Sequence, residues 1–348
     1  MTENYAAVLH GANDVRIEKI PVPEINDDEV LIKIDCVGIC GSDVKLYSTG
    51  TCGADVIDKP IVIGHEGAGT VVKVGDKVSS LRVGDRVAIE PTQPCRSCEL
   101  CKRGKYNLCV EPRYCSSMGA PGNLCRYYKH VADFCHKLPD NLTMEEGAAV
   151  QPLAIVIHAC NRAKITLGSK IVILGAGPIG ILCAMSAKAM GASKIILTDV
   201  VQSRLDAALE LGADNVLLVR REYTDEEVVE KIVKLLGDRP DVSIDACGYG
   251  SAQRVALLVT KTAGLVLVVG IADKTVELPL SQALLREVDV VGSFRIMNTY
   301  QPALAAVSSG AIPLDKFITH RFPLNKTKEA LDLAKSGAAM KILIHVQN

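Results

Sequence analysis

Runs of apolar residues separated by stretches of helical period organise the second half of this chain. Residues 170–174, 194–198, 215–219, 242–246, 265–270 and 288–294 are short, mostly β-branched and continuous in apolar character, as buried parallel strands are. Between them, 181–190, 202–211 and 225–236 place apolar side chains three and four apart, predicting helices on the faces of a six-stranded, doubly wound parallel sheet. The first of these helices should stop at Gly191, a residue suited to a left-handed C-terminal turn. Residues 1–90 read differently. Short Val/Ile runs such as 29–34 and 83–89 are cut by Pro, Gly and Asp, which predicts a β-rich domain. Thr143 with Glu146 three positions on is a capping-box signature opening a helical pattern, within which Pro152 should kink or restart the helix. His158, on the apolar stretch that follows, reads as a packed core residue. A helix at 327–336 and a strand at 340–346 close the chain. Residues 295–348 are too few for a domain and should return to pack on the first one. The fold class is therefore α/β, a β-rich half followed by a parallel sheet.

Chemistry enters at the first strand-to-helix turn. Gly175, Gly177 and Gly180, with Pro178 and Ile179 between, follow the apolar run 170–174 in G-x-G-x-x-G spacing. The first glycine permits the tight turn, the second lets a pyrophosphate reach the backbone, and the third lets helix and strand pack closely. A second strand ends in Asp199, nineteen positions after Gly180. An acid there accepts hydrogen bonds from an adenosine ribose and repels a 2′-phosphate, which favours NAD over NADP. A lone glycine triplet is usually only a turn. Strand, glycines, helix, strand and acid in this order predict a dinucleotide site.

The length of 348 residues suits two domains, and 48% apolar residues with 28 glycines and 4% aromatics suit a glycine-punctuated aliphatic core. A net charge of −1 gives no reason to expect nucleic acid or an anionic membrane surface as partner. No apolar run approaches the roughly 18 residues that span a bilayer, and the first residues lack the basic-then-apolar pattern of a secretory leader. Thirteen cysteines without such a leader argue for a reducing, cytoplasmic setting and against a disulfide framework. Of these, Cys95, Cys98, Cys101 and Cys109 form C-x2-C-x2-C-x7-C in a loop of charged and small polar residues. Four thiolates close a tetrahedral shell and leave no open position, as a structural zinc requires, and the spacing differs from the short ones usual for iron–sulfur clusters. Cys40, His65 and Glu66 are further zinc-ligand types, but they obey no local spacing rule. On chemistry alone they read equally as a buried thiol and a surface His-Glu pair. Cys52, Cys115, Cys160 and Cys183 read as packing residues.

Gly64-His65-Glu66 followed by Gly69, Gly75 and Val78, ahead of the dinucleotide half, resembles the zinc-containing medium-chain alcohol dehydrogenases. The segments VGICGSDV, KPIVIGHE, GDRVAIEP, GKYNLC, GNLCRYYKH, ADFCHKLPDN, TLGSK, GAGPIG, REVDVVGSFR and THRFPL are most similar to the sorbitol (polyol) dehydrogenases within that family. The resemblance spans nearly the whole chain. It implies a GroES-like catalytic domain over 1–155, carrying a structural zinc lobe at about 91–112 and completed by 295–348. A Rossmann NAD-binding domain would occupy 156–294, and the assembly would be a homotetramer. It also implies that Cys40, His65 and Glu66 hold a catalytic zinc with a position left open. A small alcohol or polyol would lose a hydride to NAD there, with the zinc acting as Lewis acid. Ser42 would pass the alcohol proton outward, and Asp43 would orient the ligand histidine. Arg295 would serve substrate or ordered water in the cleft between domains, and Arg204 would flank the adenine.

The chain departs from those relatives at Gln151, where they carry glutamate near the zinc. An amide keeps the shape but neither carries charge nor takes up a proton. Fewer negative charges strengthen the Lewis acid, while a possible proton acceptor is lost. Leu46, Thr51 and Ile296 stand where polyol dehydrogenases commonly have tyrosine, arginine and tyrosine. Exchanging polar contacts for Leu and Ile implies a smaller or less polar alcohol, or weakened polyol binding. Three readings stay open: a polyol dehydrogenase, the same chemistry on another alcohol (threonine- or butanediol-type), and an impaired NAD- and zinc-binding paralogue.

Overall fold

A computed structural model describes residues 3–53, 55–117, 119–271 and 275–347. Its contacts divide the chain into one unit of Met1–Gln151 with Tyr300–Asn348 and a second of Pro152–Thr299. The sequence placed these boundaries at 155/156 and 294/295.

In the second unit the six expected strands are all present and all parallel. Their order is Asn215–Leu218, Lys194–Asp199, Lys170–Leu174, Val242–Asp245, Leu265–Val268, Asp289–Gly292. The order reverses between Lys170–Leu174 and Val242–Asp245, and a doubly wound sheet binds its ligand at the carboxyl ends beside such a reversal. Ile171, Val172 and Ile173, like Ile195, Ile196 and Leu197, are fully buried, as strands covered on both faces must be. Helix Asp225–Leu236 shows how the flanking layer forms. Thr224 and Glu227 close a capping box, Gly237 ends the helix at φ +81°, and Val228, Ile232 and Leu236 bury one stripe at i, i+4, i+8.

The first unit is built around the sheet Cys135–Lys137, Arg86–Ile89, Glu66–Val74, Glu29–Gly38, Ile342–His345, His320–Pro323, with Tyr127–Val131 also paired to Glu29–Gly38. The C-terminal segment does return here: Leu343 pairs with Gly38, and Gly38 pairs in turn with Glu66. Three strand ends thus converge. Cys40 lies two residues past one, His65 one residue before another, and Lys341 one residue before the third.

Three local expectations change. The helix expected from 181 starts at Pro178, because proline at the first helical position gives up an N–H that has no partner anyway. The strand expected over 83–89 is shortened to Arg86–Ile89. Gly84 turns at φ +94° and the Asp85 carboxylate accepts from the Arg82 N–H at 2.8 Å, which commits these residues to a turn. Pro152 does not restart its helix, which runs unbroken over Met144–Arg162. Thr143 and Glu146 cap its start with reciprocal bonds of 2.8 and 3.2 Å, and Ala148, Ala149, Val150, Leu153 and Ala154 are fully buried around the proline. Tertiary packing outweighs the one backbone bond that proline removes. His158 is buried, as expected of a core residue.

Candidate active site

Cys40 is the N-cap of helix Gly41–Thr49, with extended backbone at φ −99° and ψ 155°. Asp43, three residues on and buried, accepts the Cys40 N–H at 3.0 Å through Oδ2, and its Oδ1 lies 3.4 Å from His65 Nδ1. The donor atoms of Cys40, His65 and Glu66 fall within 4.8 Å of one another. His65 is 5% exposed and Glu66 0%, so the alternative of a surface His-Glu pair is excluded. Burial disfavours the charged imidazole, but Asp43 beside it, with Tyr114 and Cys40, holds the His65 pKa well above the ordinary histidine value. With Nδ1 turned to Asp43, Nε2 is left for a metal. A thiolate, an imidazole and a carboxylate at this separation form a donor set that fits zinc with a fourth position open.

Other residues complete the surroundings. Gln151 is 1% exposed and donates through Nε2 to the Tyr114 hydroxyl at 3.2 Å, while its Oε1 is buried without a hydrogen-bond partner. The Tyr114 ring lies 5.8 Å from that of His65. Glu66 is paired with Lys341, whose Nζ lies 2.7 and 2.9 Å from its two oxygens. Ser42 is half-buried in the first turn of the helix that Cys40 caps. Leu46, further along, is buried in the apolar cluster of this unit, and Thr51 is exposed and bonded to Thr49. Sequence reasoning missed Tyr114 and Lys341. The one available signal was a lysine opening the apolar run KILIHV, where a charge needs a buried partner.

In the second unit Gly175 and Gly180 have the turn and close-packing geometry that their spacing predicts. Gly175 turns at φ +108°. A Cβ on Gly180 would overlap the Gly175 carbonyl oxygen, whereas one on Gly177 would meet nothing within 4 Å. The N-terminus of helix Pro178–Ala189 is therefore open to a phosphate where a side chain would intrude. The Asp199 carboxylate accepts from Ala176 N–H at 2.8 Å and from Val201 N–H at 2.9 Å, which fixes it beside the glycine turn. Arg204 is half-buried on helix Gln202–Glu210. Arg295 takes φ +56° with its guanidinium 4.8 Å from the centre of the Phe294 ring, and Ile296 is fully buried. The glycine turn, Asp199 and Arg204 fit a dinucleotide.

Cys95, Cys98, Cys101 and Cys109 bring four sulfurs within 4.8 Å. Backbone amides of Cys95 and Cys98 donate to Cys109 and Cys95 Sγ, each at 3.3 Å. The Cys95 thiol is lowered to about 6, first by the Ser97 side chain and then by backbone N–H groups, while burial pushes Cys101 up to about 12. A divalent cation would let all four ionise together, so this set also fits zinc.

A candidate metal-ligand set in one unit and a candidate dinucleotide cradle in the other are the parts a metal-assisted dehydrogenase requires. Residues 26–140 match the alcohol dehydrogenase GroES-like domain and residues 178–309 the zinc-binding dehydrogenase domain. The chain belongs to the zinc-binding alcohol dehydrogenases. It is 45% identical over 342 residues to sorbitol dehydrogenase of Bos taurus, covering 98% of this chain and 96% of that protein. Among solved structures it is similar to an Escherichia coli oxidoreductase of unknown specificity, at TM-score 0.94 and 32% identity over all of both chains. The 2R,3R-butanediol dehydrogenase of Bacillus subtilis gives TM-score 0.90 and 31% identity over 99% of each.

Proposed function

We propose that this protein oxidises a secondary alcohol of a sorbitol-like polyol to the ketone and passes the hydride to NAD+. The observation that carries this reading is the convergence of the Cys40, His65 and Glu66 donors within 4.8 Å of one another, with no fourth Cys, His, Asp or Glu donor in the group among the described residues. Its partner is a glycine cradle beside an acid that suits NAD. Cys40, His65 and Glu66 hold the catalytic zinc, and Cys95, Cys98, Cys101 and Cys109 a structural one. When bound, the catalytic zinc supplies Lewis acidity that eases loss of the alcohol proton near neutral pH. Ser42 carries that proton toward solvent. Asp43 is a positioning residue, fixing the Cys40 backbone and the His65 ring. The Gln151 carbonyl oxygen, buried and unpartnered, accepts a hydrogen bond from water or substrate but cannot take the proton. Gly175, Gly177, Pro178, Ile179 and Gly180 receive the pyrophosphate, Asp199 the ribose hydroxyls, and Arg204 flanks the adenine. Arg295 contacts substrate or its ordered water.

Leu46 favours a second reading, in which the alcohol is less polar than a hexitol. It is 5% exposed among apolar neighbours, so no hydroxyl of a polyol is recognised there. NADH absorbance with sorbitol, xylitol, ribitol, threonine and 2,3-butanediol separates the two, with Gln151→Glu run beside the native protein. Polyols heading the ranking support the first reading, and butanediol heading it the second. NAD binding with turnover of none, restored only in Gln151→Glu, would overturn both in favour of an impaired paralogue.

We also propose a cytoplasmic homotetramer. No described helix is long and apolar enough to cross a membrane, and the cysteine content without a disulfide framework accords with a reducing compartment. Strand Asp289–Gly292 lies at a sheet edge with Val290 exposed, and Leu284 and Leu285 nearby in sequence are 78% and 77% exposed. An open edge beside exposed leucines suits pairing with a second copy. Light scattering tests it.

A further inference from the structure

Lys341 is 3% exposed and spends all three ammonium donors inside the protein. Two go to the Glu66 oxygens, at 2.7 and 2.9 Å, and the third to the Ile39 carbonyl oxygen at 3.1 Å. The arrangement is built by the backbone. Leu343 pairs with Gly38 and Gly38 with Glu66, so Lys341 enters from the adjoining strand at the level of the carboxylate. Gly38 must be glycine for this, because a Cβ there would overlap Glu66 Oε2. The Phe317 ring lies 6.0 Å from the ammonium.

A carboxylate at 0% exposure requires compensation, and an ammonium at this distance supplies it. Glu66 is also one of the three residues whose donors meet at the candidate zinc site, alongside the Cys40 thiol and the Asp43-bound His65. A carboxylate has about four lone-pair positions, so Glu66 can face a metal and a lysine together. Charge drawn toward the ammonium is then not available to the metal. We propose that Lys341 is a positioning residue that governs how strongly Glu66 engages the catalytic zinc, keeping the ion electrophilic and its open position accessible. This rests on the reading of Cys40, His65 and Glu66 as zinc ligands.

The test uses the full-length protein with zinc, and with cobalt(II) in its place, in Lys341→Gln and Lys341→Arg. Glutamine keeps two N–H donors and removes the charge; arginine keeps the charge. In Lys341→Gln, Glu66 becomes a full ligand. The metal then leaves to a chelator about tenfold more slowly, as loss of one charged hydrogen bond implies. The cobalt visible spectrum changes, and kcat falls while the KM for NAD+ holds. Lys341→Arg restores all three. An unchanged Tm is the folding control, and zinc retained at the four-cysteine cluster shows that any change in metal binding is confined to the other site. Should Lys341→Gln fail the folding control, Gly38→Ala moves the carboxylate with the lysine in place and is expected to give the same spectral change. Release and spectrum unchanged from wild type would overturn the proposal, leaving Lys341 a structural strap. Faster metal loss would also overturn it, because Lys341 would then be presenting Glu66 to the metal. Wild-type protein holding zinc only at the four cysteines would instead refute the ligand assignment itself.

Discussion

Oδ1 of Asp43 lies 3.4 Å from Nδ1 of His65, while Oδ2 of the same carboxylate accepts the Cys40 N–H at 3.0 Å. One side chain thus fixes the ring of one candidate ligand and the backbone of another. An amide in its place has one oxygen only: kept on the Cys40 N–H it preserves the helix cap, but it then turns an NH2 group toward the imidazole, which cannot accept from Nδ1–H. Asp43→Asn is expected to weaken catalytic metal binding and kcat/KM by about 10–100-fold, the usual cost of losing a partner behind a metal-bound histidine. Zinc at the four cysteines should stay. Metal content and turnover within twofold of wild type would show that the carboxylate serves only as a cap.

The glycine turn separates folding from cofactor binding. A Cβ at Gly180 overlaps the Gly175 carbonyl oxygen, so Gly180→Ala forces helix Pro178–Ala189 away from its strand. Overpacking of this kind costs about 1–3 kcal/mol, and both Tm and NAD+ affinity are expected to fall. Gly177 has open space at the Cβ position. Gly177→Ala is expected to leave Tm unchanged and weaken NAD+ by about tenfold or more, because the methyl occupies space the pyrophosphate needs. Calorimetry with a cofactor titration checks the pair. Equal Tm losses in both variants would mean that Gly177 is only a turn residue.

Much of this was legible beforehand, and where it was not the reason is physical. The six parallel strands and the helices Asp225–Leu236 and Thr327–Ser336 follow from local periodicity and caps, which a single chain segment displays. The four cysteines were legible for the same reason: all lie within fifteen residues. Cys40 and Glu66 are brought together by antiparallel pairing of Gly38 with Glu66, a register that local spacing does not encode. Lys341 reaches Glu66 from 275 residues away. Pro152 does not restart its helix, because the packing of fully buried neighbours around it is a tertiary effect that local propensity does not encode.

Cysteine-cluster metal should matter to the lobe and little elsewhere. The lobe is tied to its unit by Tyr106, whose hydroxyl donates to Glu90 Oε1 at 2.7 Å, and Glu90 Oε2 lies 2.9 Å from His136 Nε2. Cys101→Ser removes one of four thiolates from a closed shell, and zinc content is expected to drop by one ion per chain. Proteolysis within 95–112 should quicken, since metal binding there is folding energy. The ion at Cys40 and His65 should remain, with kcat/KM within about threefold. Loss of both ions would show that the two sites fold as one.

A buried histidine sets an acid limit on stability that owes nothing to the metals. His130 is fully buried, with Nε2 2.8 Å from the Glu90 carbonyl oxygen and Nδ1 2.9 Å from Gln93 Nε2. The carbonyl must accept from Nε2–H and the amide must donate to Nδ1, so only the neutral ring satisfies both. Burial lowers its pKa from 6.5 to about 4. Between those values the unfolded chain holds a proton that the folded one lacks, so stability rises with pH and is lost as pH falls. From pH 7 to pH 5 this one group should cost about 2 kcal/mol. Gln93→Glu gives Nδ1–H an acceptor and should raise the ring's pKa, flattening the slope over that window. Urea midpoints of both proteins at pH 7, 6 and 5 decide it, the difference between them removing titrations they share. Parallel slopes would mean that the ring is protonated alike in both and that His130 does not carry the acid sensitivity.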